Sequence, residues 1–333
     1  MVGIACRWMP AIASRLQCVN LAPTRIYVNS AVSNRLNGGS EILGYRFPAW
    51  LKVLSRVPMP ALYAFSTFLY WLAYYIVRHR SRVIREQLAK VFPGKSEAER
   101  IALHKQFLRS FCDVAVELIA SVSMSEGQLR ERVVIRNPEV AQAYLDAGKT
   151  VMLVTSHLCN WEWLLQGMVL QLGYPIDAAY KPLHDQWGER LMYALRTRFG
   201  ARLIPAKDLL ADFLKRRGVV RALAMNADQA PVSTDRRHWT TFLGQDTAFY
   251  VGAEQISRST RLPMIFLAMR RIRRGYYEVE LEPLWDGAER LETGVITERY
   301  ARLCEAEVYR APADWLWSYR RWKLQKPLYE AAE

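Results

Sequence analysis

From residue 151 onward, short apolar runs alternate with segments of helical periodicity, and no other feature narrows the fold as much. The segment AGKTVMLVTS shows the pattern: a glycine turn, then a continuous apolar run of the kind that marks a strand buried on both faces. Further runs at 176–180, 201–204, 220–226, 264–269 and 276–281 read as strands. The stretches 163–172, 186–199, 209–217, 252–260 and 293–309 read as helices between and after them. Upstream, Ser96 with Glu97 and Glu99 opens a helix expected over 95–122, and Pro138 opens a short one over 138–147. Strands alternating with helices predict an α/β layer structure with a largely buried sheet.

The chain has 333 residues, 51% of them hydrophobic, enough for a full core and too apolar for disorder. Its net charge of +14 favours an anionic partner such as nucleic acid, an anionic membrane or an acidic protein. Five scattered cysteines without C-x-x-C spacing fit a reducing compartment and argue against a disulfide framework or a structural zinc site. Cys159 reads as a small buried hydrophobe. Residues 1–45 read as a poorly ordered leader, either transit-like or an over-long reading frame. Their first forty positions hold four Arg and no Asp, Glu or Lys.

Residues 46–90 read as a membrane anchor and a basic juxtamembrane helix. No charge interrupts 61–77, Tyr70, Trp71, Tyr74 and Tyr75 cluster toward its end, and Arg78, Arg80, Arg82 and Arg85 follow. The run is at the short limit for a spanning helix, ~17–25 residues. A short span, an interfacial anchor and a buried core helix all fit it. A catalytic domain is expected over 91–327 and a tail over 328–333.

The most informative local stretch is VMLVTSHLCNWEW. It puts His157 just past a strand, where α/β sheets bind ligands. Asn160 is a good helix N-cap, so Glu162 falls in a first helical turn, which favours a carboxylate. An imidazole can take a proton from a hydroxyl, and a carboxylate can orient it. The bland reading is a strand-end His bonded to a helix-start Glu. His-x4-Glu recurs at His184/Glu189, where the loop YKPLHDQWGER makes His184 a surface or pocket-lining residue. No third ligand at workable spacing accompanies His157 and Glu162, so a metal is not implied. The Gly-Lys-Thr at 148–150 precedes a strand and lacks the upstream glycine of a phosphate loop.

The block AGKTVMLVTSHLCNWEW resembles the signature of the lipid A biosynthesis acyltransferases, the late lauroyl and myristoyl type with a His-x4-Asp/Glu motif. The likeness extends from about residue 46 to 326. FPAWLKVLSRVPMPALYAFSTFLYWL is similar to the family's membrane anchor. YKPLHDQ resembles its Tyr-Arg-Pro loop, with Lys181 where Arg is usual. LMYALRTRFG, MNADQAP, TTFLGQDTA and DWLWSYRRWK resemble further blocks in family order.

The resemblance implies a mixed central sheet flanked by helices, with a hydrophobic groove for an acyl chain and a basic mouth near the bilayer. It implies acyl transfer from acyl carrier protein, rather than acyl-CoA, to a hydroxyl of a phosphorylated lipid A precursor, at the cytoplasmic face of a bacterial inner membrane and without a cofactor. His157 would be the general base and Glu162 would orient it. Arg196, with Arg198 beside it, would hold a phosphate or the oxyanion. Asp228 and Gln229 would give polar support, with Lys181 and Asn160 lining the site. Met168, Leu172 and Phe249 are candidates for the groove's closed end. Of the tryptophans Trp315, Trp317 and Trp322, two are expected in the core. Rival readings keep the chemistry on another glycolipid, a lysophospholipid or a lipoamino acid, or replace it by a membrane scaffold or a basic nucleic-acid binder. No RNP-like or helix-turn-helix pattern supports the last.

Overall fold

The computed structural model describes residues 45–232 and 236–326. The leader, apart from Tyr45, and the tail lie outside them. Three helices come first: α1 Ala49–Leu54, α2 Met59–Trp71, extended by a π turn to Ile76, and α3 Ser81–Val91. The long α4 Glu97–Ala120 starts at a capping box in which Ser96 and Glu99 satisfy each other's backbone N–H groups. It is followed by α5 Glu126–Arg132, β1 Val133–Ile135, α6 Glu139–Asp146, β2 Val151–Thr155, α7 Trp161–Gln171, β3 Ile176–Tyr180 and α8 Gln186–Thr197. Then come β4 Arg202–Pro205, α9 Leu209–Lys215, β5 Ala222–Asn226, β6 Arg237–Phe242 and β7 Gln245–Tyr250. The chain closes with α10 Gly252–Thr260, β8 Met264–Arg273, β9 Tyr276–Trp285 and α11 Val295–Arg310.

Seven strands form one sheet in the order β1-β9-β8-β2-β5-β3-β4, and only the β8–β9 pair is antiparallel. The mixed, helix-flanked sheet expected from the sequence is present. Every residue of β2 is buried, as its unbroken apolar run requires. One apolar cluster, with Met152 and Phe266, covers one face of the sheet; a second, with Leu153 and Ile265, covers the other. Adjacent residues of one strand point to opposite faces, so both faces are dry.

The short α5, the strand β1 and the β6–β7 hairpin escaped the sequence reading. β1 is only three residues long. The β6–β7 hairpin stands apart from the main sheet and turns at Leu243–Gly244, both with positive φ (54° and 71°). Asn-Gly would have signalled that turn; Leu-Gly does not.

Among the described residues no single helix is long and apolar enough to cross a membrane. Met59–Ile76 and Ser81–Val91 pass that test only as a pair bent by 88°.

Candidate active site

The site follows from strand register. β2 and β5 are parallel neighbours, with Thr155 opposite Asn226. Two residues beyond each end stand His157 and Asp228, and the register carries them side by side. The Ala227 N–H bonds the Thr155 carbonyl at 3.0 Å, extending the ladder one step past the strands. His157 Nδ1 lies 2.6 Å from Asp228 Oδ1, and the His157 backbone N–H donates to Oδ2 at 3.0 Å. Trp315 Nε1 donates to Oδ2 at 2.9 Å. A carboxylate only accepts, so Nδ1 carries a proton, and in the neutral ring the lone pair is left on Nε2. Gln229 Nε2 sits 3.2 Å from that nitrogen.

Asp228 is buried, and burial alone would raise its carboxyl. The adjacent His157 and the hydrogen bonds from His157 and Trp315 outweigh it, holding Asp228 below the usual carboxylate range. The Asp228 side chain is 3% exposed and that of His157 15%. The imidazole therefore reaches the surface while its partner does not.

Glu162 is not the carboxylate bonded to His157, contrary to the role expected for it. Asn160 caps α7, accepting from the Trp163 N–H at 2.9 Å, and Glu162 falls in the first turn as expected. From there Glu162 takes a two-pronged ion pair from Arg196, Nε to Oε2 at 2.7 Å and Nη2 to Oε1 at 2.6 Å. Burial alone would lower the Arg196 pKa; the Glu162 carboxylate raises it instead. Trp161 lies between the two halves of the site. Its Nε1 donates to Glu162 at 3.2 Å, and its ring meets the His157 ring edge-on at 5.2 Å.

The remaining expected residues divide. Asn160 is fully buried, and its amide also donates to Glu117 Oε2 at 2.7 Å. Arg198 faces elsewhere: it bonds the Ser121 carbonyl and lies over the Phe199 ring, roles that fasten α8 to the end of α4. Lys181 and His184 are exposed on the loop after β3. Ser156 is buried and turned toward Cys304, away from the surface. Cys159 is buried as expected, in a left-handed turn (φ 52°) that reverses the chain between β2 and α7; burial raises its thiol. Met168, Leu172 and Phe249 are all buried core residues.

Trp315 was missed as a site residue. Its segment pairs with the His157 loop through a Leu158–Trp315 bridge and through bonds from Cys159 N–H to the Asp314 carbonyl (2.9 Å) and Leu316 N–H to the His157 carbonyl (3.2 Å). Trp315 and Trp317 are in the core, and Trp322 is half-buried. A crevice of about 10 Å³ opens beside this clamp, lined by Phe107, Phe111, Cys159, Trp161 and Leu316 among others.

The sequence profile of the bacterial lipid A biosynthesis acyltransferases matches residues 41–324. The chain belongs to that family. The chain is thus an acyltransferase of lipid A biosynthesis. This lipid A acyltransferase is 25% identical over 290 residues to the lipid A biosynthesis palmitoleoyltransferase of Escherichia coli (strain K12), which spans 85% of this chain and 90% of that protein. The lipid A biosynthesis acyltransferase of Shigella flexneri is likewise 25% identical over 290 residues, 85% of this chain and 90% of that protein.

Proposed function

We propose that the protein is a membrane-bound O-acyltransferase of the cytoplasmic face of a bacterial inner membrane. It moves a fatty acyl chain from acyl carrier protein to a hydroxyl of a phosphorylated lipid A precursor. The observation that carries the mechanism is the His157–Asp228 pair, with Nδ1 bonded inward and the Nε2 lone pair left for chemistry. Nε2 takes the proton of the acceptor hydroxyl as its oxygen attacks the thioester carbonyl. The tetrahedral oxyanion collapses, the carbon–sulfur bond breaks, and the imidazolium returns its proton to the departing thiolate. Asp228 holds the tautomer and stabilises the imidazolium, as a triad aspartate does. Gln229 is displaced from Nε2 when the acceptor binds.

Arg196 is the candidate for the oxyanion or a substrate phosphate. Its clamp on Glu162 gives that guanidinium a fixed place in the wall of the site. Glu162 therefore acts through Arg196. Asn160 positions α7, and Lys181 is a candidate phosphate contact at the rim. Arg198 is structural.

The test is acyl transfer in membranes carrying the protein, with labelled acyl carrier protein thioester and a tetra-acylated, Kdo-bearing lipid A precursor. Transfer by the wild type and its loss in folded His157→Ala is the expected result. Thioester turnover with total membrane lipid, but none with this acceptor, would move the acceptor to another lipid and leave the chemistry standing. No turnover with any donor or acceptor would defeat the reading.

A further inference from the structure

The mode of membrane attachment can be read from how α2 is held. Its inward face carries Leu62, Ser66 and Tyr70, all buried. Ser66 Oγ donates to Asp113 at 2.5 Å and Tyr63 OH to Glu117 at 2.9 Å, both on α4. Arg109 lies 4.7 Å from the Tyr70 ring centre, and Lys105 lies 5.3 Å from that of Tyr74. If α2 crossed a bilayer it would carry these α4 charges into hydrocarbon, where each is costly. Its length also falls short. Met59 to Ile76 at 1.5 Å per residue spans about 27 Å, against a core of ~30 Å.

The outward face is different. Phe65 (39%), Phe68 (60%), Trp71 (57%), Tyr75 (46%) and Ile76 (74%) are exposed on it. At Val77–Arg78 this apolar strip runs directly into a basic corner, where the chain turns by 88° into α3. Arg80 there bonds the Ser318 carbonyl at 3.2 Å. Arg82 and Arg320 share Glu86, at 2.7 and 3.7 Å. Lys323 lies over the Tyr319 ring at 4.5 Å, and Tyr319 OH accepts the Ala230 N–H at 3.0 Å, two residues from Asp228. The basic corner therefore borders the site.

We infer that α2 lies in the plane of an anionic phospholipid bilayer, its Phe65–Ile76 face in the acyl boundary, and that the Arg80/Arg82/Arg320/Lys323 corner rests on the headgroups. Apolar area and cations on one surface are what an interfacial helix needs, and neutral lipid would satisfy only the first. This rests on the membrane-bound reading and adds its geometry: both ends of α2 stay on one side, and the site mouth faces the headgroups from which a lipid acceptor arrives.

Two experiments on the full chain test it. Flotation with phosphatidylcholine vesicles, with and without phosphatidylglycerol, should show binding that strengthens with the anionic lipid. Phe68→Ser/Ile76→Ser should weaken it at least about a hundredfold, from two side chains no longer buried in lipid. Its melting temperature should not change, since both residues are exposed. Equal flotation of this variant overturns the proposal. Next, Arg56→Cys and Arg82→Cys are made singly in a Cys6→Ser/Cys18→Ser background; Cys112, Cys159 and Cys304 are buried. In sealed inverted inner-membrane vesicles, a membrane-impermeant maleimide should label both positions from the outside. Labelling of only one means a span, which sinks this inference and leaves membrane attachment intact. Absence of flotation with either lipid sinks both.

Discussion

His157 and Asp228 are a proton-wiring problem, and the wiring makes a prediction. Asp228 Oδ2 accepts from two N–H groups, the His157 backbone and Trp315, while Oδ1 faces His157 Nδ1. In Asp228→Asn the amide oxygen must take the doubly donated position, which turns the NH2 toward Nδ1. Nδ1 must then accept, the proton moves to Nε2, and the proposed base is lost. We expect kcat to fall about 10²–10⁴-fold with little change in melting temperature, measured side by side on the purified variant. Arg196→Ala should cost stability as well as activity. It strands the Glu162 carboxylate, whose side chain is 3% exposed, with Trp161 as the remaining donor shown. A loss of about 3–5 kcal/mol in urea unfolding is expected, along with lost activity. Arg198→Lys should keep most of its activity, because Arg198 contacts Ser121 and Phe199 and none of the site residues. His157, Asn160 and Glu162 were legible as candidates because strand end, cap and first turn are local signals. Asp228 came only from family likeness and Trp315 not at all, since neither lies near His157 in the chain.

At the scale of elements, α4 carries a pH dependence. His104 is buried against Tyr74, its Nε2 has no hydrogen-bond partner, and burial, aided by the Arg85 cation, lowers its pKa to about 4. The unfolded chain takes up this proton near 6.5 and the folded one resists it. Stability from this group is therefore complete above pH 6.5 and lost as pH falls toward 4, by up to ~3 kcal/mol. Urea midpoints at pH 7 and pH 5 should differ in the wild type and differ less in His104→Leu, the rest of the dependence coming from His79, which burial lowers in the same direction. The β6–β7 turn carries a different cost. Leu243 holds a positive φ although fully buried. Leu243→Asn relieves the backbone but gives up apolar burial, so a net loss of about 1–2 kcal/mol is expected, read from thermal unfolding. Long elements such as α4 were legible in the sequence because capping and periodicity agree. This hairpin was not, because its turn uses a residue that burial selected over backbone preference.

Over the whole molecule, α2 is joined to the central sheet by polar bonds as well as apolar packing. Asp113 binds Ser66 and Arg274, and Glu117 collects Tyr63, Asn160 and Tyr277, tying α2, α4, the α7 cap and β9 into one buried network. Asp113→Ala should raise hydrogen exchange in α2 well before the sheet opens, since it leaves Arg274 without its buried partner. The sequence by itself determined the alternation of strands and helices, the buried β2, the capped α7 with Glu162 in its first turn, and an uncharged segment followed by arginines. All of these are set by residues within a few positions of one another. Only the tertiary structure decided which carboxylate serves His157. β2 and β5 are sheet neighbours although some 70 residues separate them, and no local pattern encodes which strands pair. It also decided that Glu162 belongs to Arg196, and that one face of α2 is spent on α4 while the other remains exposed. Each of those outcomes depends on what packs against a residue from elsewhere in the chain.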